Sequence, residues 1–373
     1  LNRLLRCVAI VLLLAGGALL FVTNLYCAFQ HGEAMGDYGS FFASGRAANR
    51  GANPFGVYPG TYSFELQGRR VFAPNLNPPI LVYPLSWLAR LPSRDVLTAW
   101  SVVSLLLAGA CMVALYARGP KGAAGVRLAV WGCSLAALWQ SVHFGQIYPL
   151  LLALTVVTWI MLLDGDSWMA GLPLGLLVAI KPNFVLWPLL LLFWPSRRAG
   201  ASAVAVAALL SAIPLLISGA IVYREWLQSV RGHTNLIPSL GNSSLYAVAV
   251  RLQVPWIGLV ASALIVAVTL AAVTYLRPSV QLVSTLGILV ALLIGPISWL
   301  GYTLLLLPAL WTRWSPEVCV AASLLVVPFW LLGVLPGQFV TWMYALPLIV
   351  LFAACLRSVA AQREMKLPVA SDI

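Results

Sequence analysis

Apolar runs separated by short polar connections make up most of the chain, and many of them approach the roughly 20 residues that a helix needs to cross a bilayer. In order they predict spans near 7–29, 95–117, 126–141, 147–163, 168–180, 183–195, 201–221, 256–276, 280–295, 299–312, 316–335 and 338–356. The expected fold is therefore all-α, a polytopic membrane bundle of about 12 spans with both termini on one side. Two stretches depart from the pattern. Residues 75–92 are apolar but short and interrupted by Pro78, Pro79 and Pro84, which predicts a short helix or re-entrant element at the membrane surface, not a span. The segments flanking Lys181 and Pro182 are about a dozen residues each, which predicts a hairpin with its turn partway through the membrane or at its outer side.

Polar residues gather between the first two predicted spans, in a connection covering 30–94 that is expected to carry short membrane-surface helices. It opens with HGEAMGDYGSFFASGRAANRGANPF, where Glu33 and Asp37 stand near Arg46 and Arg50. No separate soluble domain is expected. Residues 1–373 read as one transmembrane domain, with 357–373 as a short polar tail.

Composition agrees. The chain has 373 residues, 61% hydrophobic and 9% charged, too apolar for a water-soluble protein of this length. The formal charge of +12 would suggest nucleic acid in a soluble protein. Here the basic residues occupy short connections, so topology and anionic lipid account for them, and no basic stripe with interleaved aromatics points to nucleic acid. Arg118, Lys121, Arg127, Arg197, Arg198, Arg277, Arg313, Arg357, Arg363 and Lys366 all fall on the side of the N-terminus, and the positive-inside rule makes that side cytoplasmic. The expected location is a bacterial inner membrane, multi-pass, with the 30–94 connection facing the periplasm or exterior. The first apolar run reads as a retained helix, with a signal peptide as the other reading. The six cysteines form no CxxC and none has a histidine at metal-ligand spacing, so core packing is expected and no metal or cofactor is predicted.

The outward face then holds His31, His143 and His233, several carboxylates, and cations that include Lys181 and Arg251. Positive charge on that side needs a reason, and an anionic ligand supplies one. Asp37 has two readings, a solvated loop carboxylate or a functional group held beside the bilayer. Gln146 is either a helix cap or a hydrogen-bonding group at the start of a span. Lys181 has no acidic neighbour in sequence, so it snorkels or grips an anion. Asn242, Ser243 and Ser244 precede an amphipathic stretch and read by themselves as an N-cap cluster.

In chain order, Asp37 with its small-residue helix and Asn-Pro-Phe turn is followed by the NPP and YP element containing Tyr83, then GQ at Gly145 and Gln146, KP at Lys181, NSSL at Asn242 and SWLGYTLLLLPAL from Ser298. From about Leu5 to Leu356 this series resembles glycosyltransferase family 87, integral-membrane enzymes of the GT-C type that include polyprenol-phosphate-mannose-dependent mannosyltransferases. The resemblance implies transfer of a hexose or pentose from a polyprenyl-phosphate sugar to a lipid or glycan acceptor on the external face, among membrane lipids. Asp37 matches the family's catalytic carboxylate, the base for the acceptor hydroxyl in an inverting displacement. Lys181, Arg251, His143 and Tyr302 are then expected at the donor phosphate, and Glu33, Gln146, Asn242, Ser244 and Tyr83 at sugar or acceptor. With Glu33 also at the sugar, a paired acid and base mechanism is the other possibility. Two positions depart from the family: Tyr302 lies where many relatives carry a histidine after Ser-Trp, and Ser243 where many carry glutamine. A transporter or flippase of a lipid-linked sugar is the alternative function, but it predicts mid-span charges and internal repeats that the sequence lacks.

Overall fold

A computed structural model describes residues 36–66, 68–165, 168–312, 315–327 and 337–364. The first predicted span, His31 and Glu33 lie outside the described residues.

Helix α1 (Gly36–Asn49) opens the described chain, followed by a hairpin of β1 (Tyr62–Leu66) and β2 (Arg69–Ala73), a 3-10 turn at Pro79–Leu81 and α2 (Val82–Leu88). The hairpin is a correction to the purely helical expectation for the 30–94 connection. Its strands are antiparallel with Tyr62 opposite Ala73 and Phe64 opposite Val71, and Gly68 supplies the positive φ of the turn. Residues 75–92 form a short apolar helix, Pro79–Leu88, that is too short to rank among the candidate spans.

Five described helices are long and apolar enough to cross a membrane: Ser93–Arg118, Gly122–His143, Arg197–Ser218, Pro255–Leu276 and Ala345–Arg363. Helix α3 (Ser93–Arg118) shows why. Val96, Leu97, Ser104, Ala108, Cys111, Met112 and Leu115 face the bundle, yet Leu106 and Val113 on the opposite side are apolar and about 70% exposed. A helix apolar on its outer face is solvated by lipid. The chain is a membrane-embedded protein built mainly of helices.

The predicted 126–141 span is two helices, α4 (Gly122–Ser134) and α5 (Ala136–His143), with Leu135 extended between them. The backbone groups freed by the break find partners, as they must in an apolar setting: Ala136 N–H donates to the Leu325 carbonyl and Trp139 Nε1 to the Cys133 carbonyl. Helix α6 (Tyr148–Asp164) follows, then α7 (Gly171–Ile180). Lys181 ends α7 in an extended conformation and Pro182 begins a 3-10 turn that runs into α8 (Leu186–Phe193). Proline offers no amide to continue the helix, so the chain breaks at Lys181. A ten-residue α7 is only about 15 Å long, so the chain reaches Lys181 well short of a full bilayer crossing.

Next come α9 (Arg197–Ser218), α10 (Ala220–Gly232), α11 (Leu245–Arg251), α12 (Pro255–Leu276) and α13 (Val280–Ile294). Helix α13 is buried on every side and forms the central pillar, with Gly287 letting it lie against Trp187 of α8. A 3-10 stretch at Leu300–Leu306 enters α14 (Leu307–Thr312), then α15 (Pro316–Leu324), α16 (Gly337–Trp342) and α17 (Ala345–Glu364). Helix α17 begins seven residues after the start of the predicted 338–356 span and continues to Glu364, so the stretch read as a tail is helical over its first residues.

Candidate active site

Asp37 lies in the first turn of α1, where helix geometry favours a negative charge. That turn is pressed onto the loop between α5 and α6: Tyr38 N–H donates to the Phe144 carbonyl at 3.0 Å. The approach depends on two glycines with positive φ. A Cβ on Gly36 would stand 2.5 Å from the Phe144 ring, and one on Gly145 2.5 Å from the Tyr38 Cβ. Phe41, Phe42 and Tyr38 anchor the rest of α1 against Trp100 and the start of α3, where the Tyr38 hydroxyl donates to the Ser93 carbonyl at 2.7 Å. The helix is fixed by its aromatic side chains, which leaves its one acidic group free of structural duty.

Asp37 remains partly accessible, and no hydrogen bond or ion pair with another described residue ties down its carboxylate. Burial of its surroundings raises its pKa from the ordinary carboxylate value to about 7, against the opposing pull of the Lys181 charge. The Lys181 Nζ has no carboxylate partner among the described residues. It lies 5.7 Å from the ring centroid of Tyr148 and 5.2 Å from that of Tyr302, and the two rings meet edge to face at 4.8 Å. A cation over two ring faces keeps its position without surrendering its N–H donors. The Tyr148 hydroxyl is within hydrogen-bonding reach of the Tyr302 and Gln146 side chains, and Tyr148 also feels the Asp37 charge. Gly301 makes room for this arrangement, since a Cβ there would collide with the Tyr148 ring at 2.2 Å. His143 precedes Phe144 in the same loop, its ring edge-on to the Phe144 ring at 4.9 Å.

Asp37, Lys181, Tyr302, Gln146 and His143 thus converge around Tyr148 and Phe144. Other expected site residues take different places. Arg251 donates through Nη1 to the carbonyls of Ser239 (2.7 Å) and Asn242 (3.0 Å), and through Nη2 to that of Thr341 (2.8 Å). Burial pushes its pKa down to about 10, so the guanidinium keeps its proton. Asn242 donates to the Ile237 and Pro296 carbonyls and accepts from the amides of Ser244 and Ser298. Ser244 caps α11 by accepting from Ala247 N–H at 3.1 Å, as an N-cap serine should. The result is a brace between Gly241–Ser244 and Ser298–Leu300, with Asn242 bridged to Trp299. It fixes the backbone from which Tyr302 projects. Tyr83 binds the Ser218 hydroxyl at 2.9 Å and so ties α2 to α9. Glu33 lies outside the described residues.

Sequence reasoning passed over Tyr148, Phe144 and Tyr62. Tyr148 had a signal, an aromatic two residues beyond Gln146 at the mouth of a span. Phe144 acts through its carbonyl and ring as a platform, which no motif announces. Tyr62 is on the unexpected hairpin, beside Phe144 at 5.5 Å between ring centroids.

A carboxylate with a raised pKa, near an ammonium that no acid among the described residues neutralises, is an arrangement able to take a proton and receive an anion. The model for glycosyltransferase family 87 matches residues 75–308, more than half of the chain. The chain belongs to glycosyltransferase family 87, and it is a membrane glycosyltransferase. The matched segment carries Lys181, Gln146, His143 and Tyr302, while Asp37 precedes it. No curated protein and no solved structure matches the chain.

Proposed function

We propose that this enzyme moves a hexose such as mannose, or a pentose, from a polyprenyl-phosphate sugar to a lipid or glycan acceptor, with Asp37 as general base. The acceptor hydroxyl attacks the anomeric carbon as its proton passes to Asp37; the bond from that carbon to the phosphate oxygen breaks, and polyprenyl phosphate leaves with the electron pair. A single displacement of this kind inverts the anomeric centre and needs no enzyme nucleophile. The Lys181 ammonium is in position before charge develops on the departing phosphate, with the Tyr302 hydroxyl as a neutral donor beside it. His143 and Gln146 serve at the rim, one toward phosphate and the other toward sugar. Arg251, Asn242 and Ser244 act at a distance by holding the Tyr302 segment.

The observation that carries this reading is the pair formed by Asp37 and Lys181, each near Tyr148 and neither held in an ion pair or hydrogen bond by another described residue. An apolar cavity of about 470 Å³ between α3 and α6 supports a lipid-borne substrate, because Gln146 and Ile147 line it together with Trp100, Val103 and Leu150. In keeping with the distribution of basic residues, Asp37 faces the periplasm or exterior of a bacterial inner membrane.

The test is transfer of radiolabelled mannose from polyprenyl-phosphate mannose to extracted membrane lipids by the purified protein in proteoliposomes. Wild type should label the lipids and Asp37→Asn should not. Labelling by the variant at the wild-type rate would remove Asp37 from the chemistry. For sidedness, a cysteine placed at His233 should react with an impermeant maleimide added to whole cells, and one at Arg198 should not.

A further inference from the structure

The hairpin puts two different faces to its surroundings. Side chains alternate along a strand, so Tyr62, Phe64, Val71 and Ala73 share one face and Ser63, Glu65, Arg70 and Phe72 the other. The second face is turned to solvent, with Glu65, Arg70 and Phe72 exposed and Arg70 Nε bonded to the Ser63 hydroxyl. The first face packs on Leu236, Ile297 and Trp299, the last of which belongs to the brace that carries Tyr302. At its other side the hairpin is latched to α1: the Ser40 hydroxyl donates to the Ala73 carbonyl at 2.7 Å and accepts from Tyr62 N–H at 3.0 Å. Two strands latched to the helix of Asp37 and seated on the brace of Tyr302 span the mouth of the site.

Tyr62 is the member of that inner face nearest the chemistry. Its ring meets Phe144 edge-on at 5.5 Å and Phe64 at 5.6 Å, and Phe144 is the residue on which the Asp37 turn rests. The ring stays partly accessible, its hydroxyl has no hydrogen-bond partner among the described residues, and burial, with a smaller contribution from the Asp37 charge, raises its pKa to about 12, so it remains a donor. A flat apolar ring with a protonated hydroxyl at one edge, set beside a carboxylate, suits a pyranose. The C–H face of such a sugar covers the ring while its hydroxyls reach the polar rim.

We propose that Tyr62 is a specificity-determining residue that forms the wall of the acceptor site, packing a hexopyranose so that one of its hydroxyls is presented to Asp37. This rests on the transferase reading above and narrows the acceptor to a sugar-bearing lipid or glycan. The exposed outer face of the same strands has no part in it.

The experiment uses the full-length protein in detergent and octyl glycosides of mannose, glucose and galactose as probes, with binding read by saturation-transfer NMR and transfer read as acceptor KM and kcat. Tyr62→Leu keeps apolar bulk on the hairpin and removes the ring; Tyr62→Phe keeps the ring and removes the donor. Expected is binding of at least one octyl glycoside by wild type, weakened about tenfold or more in Tyr62→Leu and less in Tyr62→Phe, with KM raised and kcat and Tm nearly unchanged. Asp37→Asn should bind the probe like wild type. Wild-type affinity in Tyr62→Leu, a fall in Tm that parallels the loss of binding, or no binding of any octyl glycoside by wild type would overturn the proposal. Loss of binding in Tyr62→Leu with a wild type that transfers nothing from polyprenyl-phosphate mannose would keep the sugar wall and refute mannose as the donated sugar.

Discussion

Where α3 and α6 end, Arg118 and Asp164 form a two-pronged ion pair, and the exposed side chains of both are open to solvent. Trp311 lies against Gly119 at this end, and a few residues on Glu317 meets Arg357 at 3.1 Å, again with both side chains largely exposed. At the opposite end, where α6 begins and α7 stops at Lys181, Asp37 and Lys181 have no such partners among the described residues. One end thus neutralises charge by pairing in high dielectric, where the interaction is worth little and salt screens it. The other holds charge apart in low dielectric, where each group is costly unless something arrives to use it. On the proposed reading, the contrast separates charge spent on the surface from charge kept for chemistry.

The largest expected effect breaks that second end outright. Asp37→Asn should lower transfer on the order of 10²–10⁴-fold, the usual contribution of a general base. The same substitution should stabilise the protein at alkaline pH. The folded-state pKa of Asp37, about 7, lies above its ordinary value, so the folded protein binds the extra proton; stability is full below the ordinary value and is lost as pH rises toward 7. Thermal unfolding in detergent should therefore show a higher Tm for Asp37→Asn than for wild type at pH 8, with the gap closing near pH 4. Wild-type kcat/KM should rise with pH through a limb near 7, and a limb near the ordinary carboxylate value would show that the acting group is not this one.

Lys181→Met comes next, with a loss of transfer of about 10²–10³-fold for a preorganised charge removed from the leaving group. Because the Lys181 charge lowers the Asp37 pKa, the acid limb should also move to higher pH. A variant with less activity and an unmoved limb would uncouple the two groups.

Asn242→Ala tests the brace. It removes the partners of two carbonyls and two amides at a fully buried position, which should cost on the order of 3 kcal/mol of stability. Chemical denaturation would measure it, and the pH limb should stay in place because neither reacting group is touched. Smallest of all, Arg118→Ala should leave transfer unchanged and shift Tm little, since only an exposed pair is lost.

Much of the helical pattern was legible because a bilayer imposes a one-dimensional rule: long apolar runs must be helices. The break at Lys181 was legible for the same local reason, a Lys-Pro step between two short runs. The hairpin was missed although Tyr62, Phe64, Val71 and Gly68 carry its signature, because five-residue strands give a weak periodic signal beside long spans. The kink at Leu135 has no local sign at all; the groups that satisfy it come from Leu325 and Trp139.

The sequence by itself determined the membrane class, the mainly helical character, the family, and the choice of Asp37 and Lys181 as groups worth attention. Only the tertiary structure decided which polar residues were left for a ligand. Arg251 and Asn242 look as available as Lys181 in a string of letters, yet their partners are backbone groups 9 to 90 and 2 to 56 residues away. Hydrogen-bond capacity is filled by whatever the fold brings near, and a linear chain carries no record of which carbonyl will arrive first.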